Sequence, residues 1–353
     1  VAEAVGGAAR LVPAAVSVLA LALLGACGDD EPTAGPTGGT GAGGAGSAAG
    51  DVPFELVTTD DLAVSPDGGR LLADCWDGRC TWDAATGELA QEPDGSSVAV
   101  APDWSTVARV DDGDVVLVGL EDGEVVQTLR GLADAEVTDG SPVSAVAYSS
   151  DGALVAAAGL DGSVRVWSVD DGSEQAAFTA AYAPQVLAFS PDGALLALAG
   201  GGPVEVRDLD DGEAVATVGD SGRNGALAWT PDGRHLVGPG PDEAPTVWRL
   251  PGLQPVDELS GVRLHEAAVA PDGRTVAVTA FDTTEVRLWR PAALGRPGRA
   301  RTLRGHTGEP GAVAFAPDGA TVWSVAADDG VRGWDVRSGG PTTAYDLPVG
   351  PDR

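Results

Sequence analysis

Three cysteines and three histidines hold most of the nucleophilic and metal-ligating capacity of this 353-residue chain. His235, His265 and His306 lie 30 and 41 residues apart, without the close spacing of a metal site. Cys75 and Cys80 flank Trp76-Asp77-Gly78-Arg79, which reads as a hairpin with a two-residue Asp-Gly turn. With Trp76 and Arg79 closing that turn, Cys75 and Cys80 become the next, non-hydrogen-bonded pair. Their Cα atoms would then lie about 4.5 Å apart, and export to an oxidising compartment would join them in a disulfide. The runs Asp111-Asp112-Gly113-Asp114 and Asp208-Leu209-Asp210-Asp211-Gly212 have the content of calcium loops. They lack the ordered ligand alternation and terminal Glu of such loops, and as hairpin turns they need no ion. No Gly-x-Ser-x-Gly elbow, phosphate loop or dinucleotide fingerprint is present. The sequence therefore offers no catalytic residue, no metal site and no cofactor site.

The elements behind these residues repeat. Seven turn signals read Ser65-Pro66-Asp67-Gly68, Ala101-Pro102-Asp103-Trp104, Ser149-Ser150-Asp151-Gly152, Ser190-Pro191-Asp192-Gly193, Thr230-Pro231-Asp232-Gly233, Ala270-Pro271-Asp272-Gly273 and Ala316-Pro317-Asp318-Gly319. Their aspartates fall 36, 48, 41, 40, 40 and 46 residues apart, the period of a stacked-repeat architecture. Each turn lies between short apolar runs, as Val143–Tyr148 and Leu154–Ala158, with further Asp-Gly turns at Asp161-Gly162 and Asp171-Gly172. Short β-rich runs with frequent turn signals and no sustained 3.6-residue period predict an all-β fold. The runs are nearly continuous in Ala, Val and Leu, as suits small sheets covered on both faces.

The third run of five repeats places Trp 15 to 17 residues after the turn aspartate, at Trp82, Trp167, Trp248, Trp289 and Trp334. Val118 and Arg207 stand there in repeats two and four. With Gly305-His306, Trp82-Asp83 and Trp334-Asp335, the pattern resembles the WD-repeat family of β-propellers over roughly residues 54–347. The resemblance implies a seven-bladed propeller of four-stranded antiparallel blades, spanning residues 51–353. It also implies a structural hydrogen-bond set of His306, Asp328 or Asp329, and Trp334. Thr342–Leu347 and Phe54–Val57 both align with a fourth strand, so either terminus is a candidate to close the ring.

The first fifty residues are of another kind. Arg10 precedes an apolar stretch, Leu11–Leu24, too short and Pro-broken to span a bilayer well, and it fits an export signal. Leu24-Gly25-Ala26-Cys27 resembles the bacterial lipobox, which implies a signal peptide over residues 1–26 and a lipid on Cys27. Residues 27–50 then read as a flexible Gly/Ala/Ser-rich tether. The expected location is the extracytoplasmic face of a cell membrane, held by two acyl chains.

The chain has no Lys, Ile or Met and a single Asn, Asn224, the usage of a very GC-rich genome such as a high-GC Gram-positive bacterium. Its net charge of −32 argues against nucleic acid, which needs a basic face. Against that background Arg290, Arg296, Arg299, Arg301 and Arg304 cluster between the third and fourth runs of repeat six. They read either as ion pairs with acids of adjacent turns or as a contact for an acidic partner. The resemblance implies a monomeric, non-catalytic scaffold that meets a protein partner at its rims. Two other readings stay open: an enzyme or small-ligand binder using the central channel, and an envelope-complex component. The latter follows from the Pro-Asp-Gly turn, shared with the Tol-pathway periplasmic propellers.

Overall fold

The computed structural model describes residues 62–75, 78–92, 97–111, 113–132, 143–219, 226–294, 299–326 and 330–345. Cys27, the export segment, the tether, Phe54–Val57, Asp328 and Asp329 lie outside them.

The described strands form seven four-stranded antiparallel sheets, each built from four consecutive strands. Blade three is typical, with strands Val143–Tyr148, Leu154–Gly159, Ser163–Ser168 and Glu174–Thr179. Its first strand is buried at every position, because a neighbouring blade covers each face. The small residues serve that packing. Ala145, Ala147, Ala156 and Ala158 of blade three meet Leu187, Phe189, Leu196 and Leu198 of blade four in one cluster. Fully burying each such leucine contributes about 1.5–3 kcal/mol.

The seven turns join first strand to second by one recurring device. In four of them a hydroxyl bridges the turn. Ser65, Ser149, Ser190 and Thr230 each donate to the turn aspartate at 2.5–2.6 Å and accept the backbone N–H five residues on at 2.8–3.1 Å. The same aspartate oxygen accepts the N–H two residues later. These hydrogen bonds hold Asp67, Asp151, Asp192 and Asp232 below the usual carboxylate pKa, although burial of Asp232 opposes them. The turn glycine then takes positive φ, as at Gly68, Gly152 and Gly193.

Successive turns also touch. The proline of one blade lies against the turn glycine of the next. A Cβ on Gly152, Gly233, Gly273 or Gly319 would stand 3.4–3.7 Å from the ring of Pro102, Pro191, Pro231 or Pro271. Pro317 meets Gly68 in the same way at 3.7 Å, so blade seven joins blade one through the contact used at four other junctions. Blade two departs from the pattern. Trp104 replaces the glycine, with φ of 61°, and its side chain packs with Leu72, Val100 and Val107.

The ring closes with the C-terminal strand. Pro341–Tyr345 is the fourth strand of blade seven, and blade one takes all its strands from Leu62–Glu92. Leu62, Leu71 and Trp82 of blade one share a cluster with Ala312, Trp323, Val325 and Val331 of blade seven. The Tyr345 hydroxyl donates to the Ala84 carbonyl at 2.9 Å across the seam.

Candidate interaction surface

The propeller has two rims. In six blades a backbone bond such as Ala84 N–H to Gly69 O or Val169 N–H to Ala153 O ties the third-to-fourth turn to the first-to-second turn; in blade six the donor position is Pro291, which has no N–H. Those two turns therefore share one rim, here the proline rim. The second-to-third turns and the connections between blades form the opposite rim.

The five repeat tryptophans occupy one register position. Trp82, Trp167, Trp248, Trp289 and Trp334 face Leu71, Val155, Leu236, Val276 and Val322 across the second-to-third ladders, and all are buried. Val118 and Arg207 fill that position in blades two and four. Of the expected set, the structure brings His306 and Trp334 together through a residue the sequence reading missed. Trp334 Nε1–H donates to Ser324 Oγ at 2.9 Å, and His306 Nε2 lies 2.7 Å from the same oxygen. A Ser–His pair at that distance has the spacing of nucleophile and base. Ser324 is wholly buried, His306 nearly so, and the indole N–H already occupies the hydroxyl. The set therefore satisfies buried polar atoms between strands.

The disulfide hairpin differs from expectation in register. Cys75 faces Gly78, Asp74 faces Arg79, and Cys80 faces Ala73. The pairing is thus shifted by two residues from the one the Asp-Gly signal suggests, and Cys75 and Cys80 are not directly opposed. Cys80 is fully buried and disulfide-bonded. The Cys75 side chain lies outside the described residues.

The richest exposed chemistry sits on the opposite rim at blades five to seven. Arg263, just before the first strand of blade six, pairs with Asp282 at 2.7 Å and with Glu243 at 3.5 Å. Its guanidinium lies 5.3 Å from the Phe281 ring centre, and that ring packs 4.3 Å from His265. Glu309, at the entry to blade seven, accepts the Asp282 N–H at 3.1 Å. The loops that present these groups are strained. Among the described residues five non-glycines have positive φ, and three of them, Asp242, Glu243 and Asp282, lie here. Each such residue costs about 1–3 kcal/mol. The ion pairs they form are open to water, with Asp282 82% exposed, and exposed pairs contribute only about 0–1 kcal/mol. Stability does not account for the arrangement. A charged, aromatic, pre-shaped surface fits recognition of a partner. Among the described residues no group of three or more His, Cys, Asp or Glu is placed to hold a metal.

The WD domain, G-beta repeat family matches residues 123–168 and 298–335. The matched stretches run from blade two into blade three and from blade six into blade seven. The chain is a seven-bladed β-propeller, similar to the WD-repeat family in those stretches. A WD repeat-containing protein of Synechocystis is 33% identical over 158 residues, which cover 40% of this chain and 44% of the relative. WD repeat-containing protein AAC3 of Dictyostelium discoideum is 24% identical over 55% of this chain and 46% of its own length. Protein groucho of Drosophila melanogaster is 28% identical over 33% of this chain and 16% of its own. The chain thus spans less than half the length of these relatives. The propeller domain of Cps50 (Swd1) from Myceliophteria thermophila superposes with a TM-score of 0.64, at 16% identity, over 79% of this chain and 97% of that one. A chain of the mitotic checkpoint complex gives 0.65 at 18% identity, over 86% and 97%. At such identity these two likenesses speak for the fold alone.

Proposed function

We propose that this propeller is a non-catalytic platform for a partner protein, held outside the cytoplasmic membrane by a lipid on Cys27. WD propellers commonly act as interaction scaffolds, and one similar structure is a chain of the mitotic checkpoint complex. The observation that carries the reading is the Arg263–Phe281–Asp282 surface, whose strained loops stabilise little within the chain itself. Leu24-Gly25-Ala26-Cys27 and the Gly/Ala-rich tether support the anchor.

A photo-crosslinking residue at Asp282 in living cells, followed by identification of the captured protein, tests the platform. The same capture should fall in Arg263→Glu and Phe281→Ser while the unfolding midpoint stays within the range of ordinary surface substitutions. Capture unaffected by both changes would reject this surface as the contact. Turnover of a defined substrate, lost on replacing a channel-lining acid or histidine, would reject the non-catalytic reading. Cys27→Ser should release the protein from the membrane fraction or block its processing.

A further inference from the structure

The arginine cluster of blade six lies on the proline rim, away from the Arg263 surface. The structure divides it. Residues Arg299–Arg304 form the fourth strand of blade six itself rather than a connection. Arg304 and Arg287 share the carboxylate of Glu285, at 2.8 and 2.9 Å. Arg290, Arg299 and Arg301 have no carboxylate partner among the described residues, and Arg337 in the third-to-fourth turn of blade seven interacts electrostatically with Asp335. All four are exposed in a chain of net charge −32.

Their directions converge. Arg290 faces Arg299 across the ladder, Leu288 faces Arg301, and Val286 faces Leu303. Val286, Leu288 and Leu303 pack with Trp334, Phe315 and Val322 of blade seven. Side chains alternate along a strand, so Arg290, Arg299 and Arg301 share the face turned to blade seven. There Arg301 Nη1 donates to the Arg337 carbonyl at 2.7 Å. The turn admits Arg301 only because residue 339 is glycine, where a Cβ would stand 2.4 Å from Arg301 Cδ. The result is a face with three exposed guanidinium groups beside the Arg337 turn, and two of them, Arg290 and Arg299, are directly opposed like charges, which destabilises a ladder.

We propose that this face docks an extended, carboxylate-rich segment of a partner protein, added as a strand beside Arg299–Arg304. That strand is outermost in its sheet, with no ladder partner on its outer side among the described residues. An added strand would satisfy its free backbone groups. Arg299 and Arg301 are two residues apart, about 6.6 Å along the strand, the spacing of carboxylates at alternate positions of an extended chain. A phosphate polymer lacks the N–H groups to pair with the strand, so the edge favours a peptide. Arg forks bind carboxylates in two-pronged fashion. Outward charge also protects a sheet edge from chance pairing, but for that purpose either sign serves.

The test uses the full chain and two labelled ten-residue peptides of equal composition, one alternating Glu and Thr, the other with all its Glu in one block. We expect the alternating peptide to bind about tenfold more tightly. Arg299→Glu with Arg301→Glu should weaken it by about tenfold or more, while Arg274→Glu, an exposed arginine in the first turn of the same blade, should not. Because glutamate keeps the edge charged, solubility should stay at the parent value, and the unfolding midpoint should not fall, since Arg290 then faces a carboxylate. Arg290→Glu with Arg337→Glu provides a second reading should the first variant fold poorly. Equal binding of the two peptides, or binding that survives both double variants, would overturn the proposal. So would arginine-dependent binding of inorganic polyphosphate or of phosphatidylglycerol vesicles when neither peptide binds.

Discussion

Blades seven and four fill the same three-dimensional position by opposite means. In blade seven the third strand carries Trp334, and its indole N–H reaches Ser324 beside His306. In blade four the register is the same and the residue is Arg207, which binds Glu205 through Nε at 3.0 Å and Nη2 at 2.8 Å. Its Nη1 donates to the Gly212 carbonyl at 3.0 Å, and its guanidinium lies 5.3 Å from the Phe178 ring centre. One blade buries a neutral network and the other a charge pair. Where this position holds a large side chain with a polar group, blades seven and four satisfy that group by different chemistry, whereas blade two places Val118 there and needs none. Blade five has the bulk without the polar partner. Trp248 is buried there, its Nε1 has no partner among the described residues, and Gly238 stands where blade seven has Ser324.

The largest effect should come from removing the bulk. Trp334→Ala should cost about 3–5 kcal/mol in equilibrium denaturation, since the cavity would open among Leu303, Phe315 and Val322. Ser324→Ala and His306→Ala each strand a buried group and should cost about 1–3 kcal/mol. Their double mutant should fall short of the sum by about 0.5–3 kcal/mol, the mark of a shared network. Strict additivity would break the account of blade seven as one hydrogen-bonded unit.

Blade four allows a sharper comparison. Glu205→Ala leaves Arg207 only 18% exposed and without its carboxylate, which should cost about 3–5 kcal/mol. Replacing both residues by those of blade five, Glu205→Thr with Arg207→Trp, should recover most of that loss. Thr246 and Trp248 already occupy these positions in a neighbouring blade. If the double variant is no more stable than Glu205→Ala, the two blades are not interchangeable at this position.

The repeat period was legible because turn chemistry is local: Pro, Asp and Gly act through their own backbone, and all seven turns lie where the sequence places them. The Trp register was legible for the same reason. Ser324 was not, because it is an ordinary strand residue whose role depends on a His eighteen positions earlier and a Trp ten positions later. The cysteine hairpin misled in a different way. The Asp-Gly pair favours a turn on its own, but the pairing of Leu71 with Trp82 and Ala73 with Cys80 sets the register from the buried side of the sheet. A two-residue shift keeps every side chain on its face, so the hydrophobic pattern cannot detect it.

Blade one adds a third chemistry, since Cys80 holds the position that Glu205 holds in blade four. We infer that its disulfide partner is Cys75. Thiol counting on unfolded, unreduced protein should then find neither of this pair reactive, and reduction should cost about 2 kcal/mol, because so short a loop restricts the unfolded chain only modestly. Two reactive thiols from this pair would remove blade one from the comparison.

The smallest expected effect concerns the turns, where the same logic applies to a repeated element with and without its polar partner. Ser65, Ser149, Ser190 and Thr230 bridge their turns, whereas Ala101, Ala270 and Ala316 leave the equivalent position without a hydroxyl, and in blade two Ser105 donates to Asp103 from the other side of the turn at 2.6 Å. The bridged aspartates are held below the usual carboxylate pKa in the folded protein, chiefly by the hydroxyl in Asp67, Asp151 and Asp192. A carboxylate whose folded pKa is depressed stabilises the fold above its unfolded value of 3.8 and loses that contribution as pH falls through the folded value. The ring should therefore lose stability below about pH 4, as each turn is protonated in the unfolded chain first. Ser190→Ala should cost about 1 kcal/mol or less at neutral pH, since the turn is half open to water. It should also flatten the acid limb of the stability curve, because Asp192 loses the bond that lowers it most. An unchanged slope below pH 4, with the neutral-pH loss still present, would mean that the hydroxyl acts through its bond to the Leu195 N–H at 2.9 Å and not through the carboxylate.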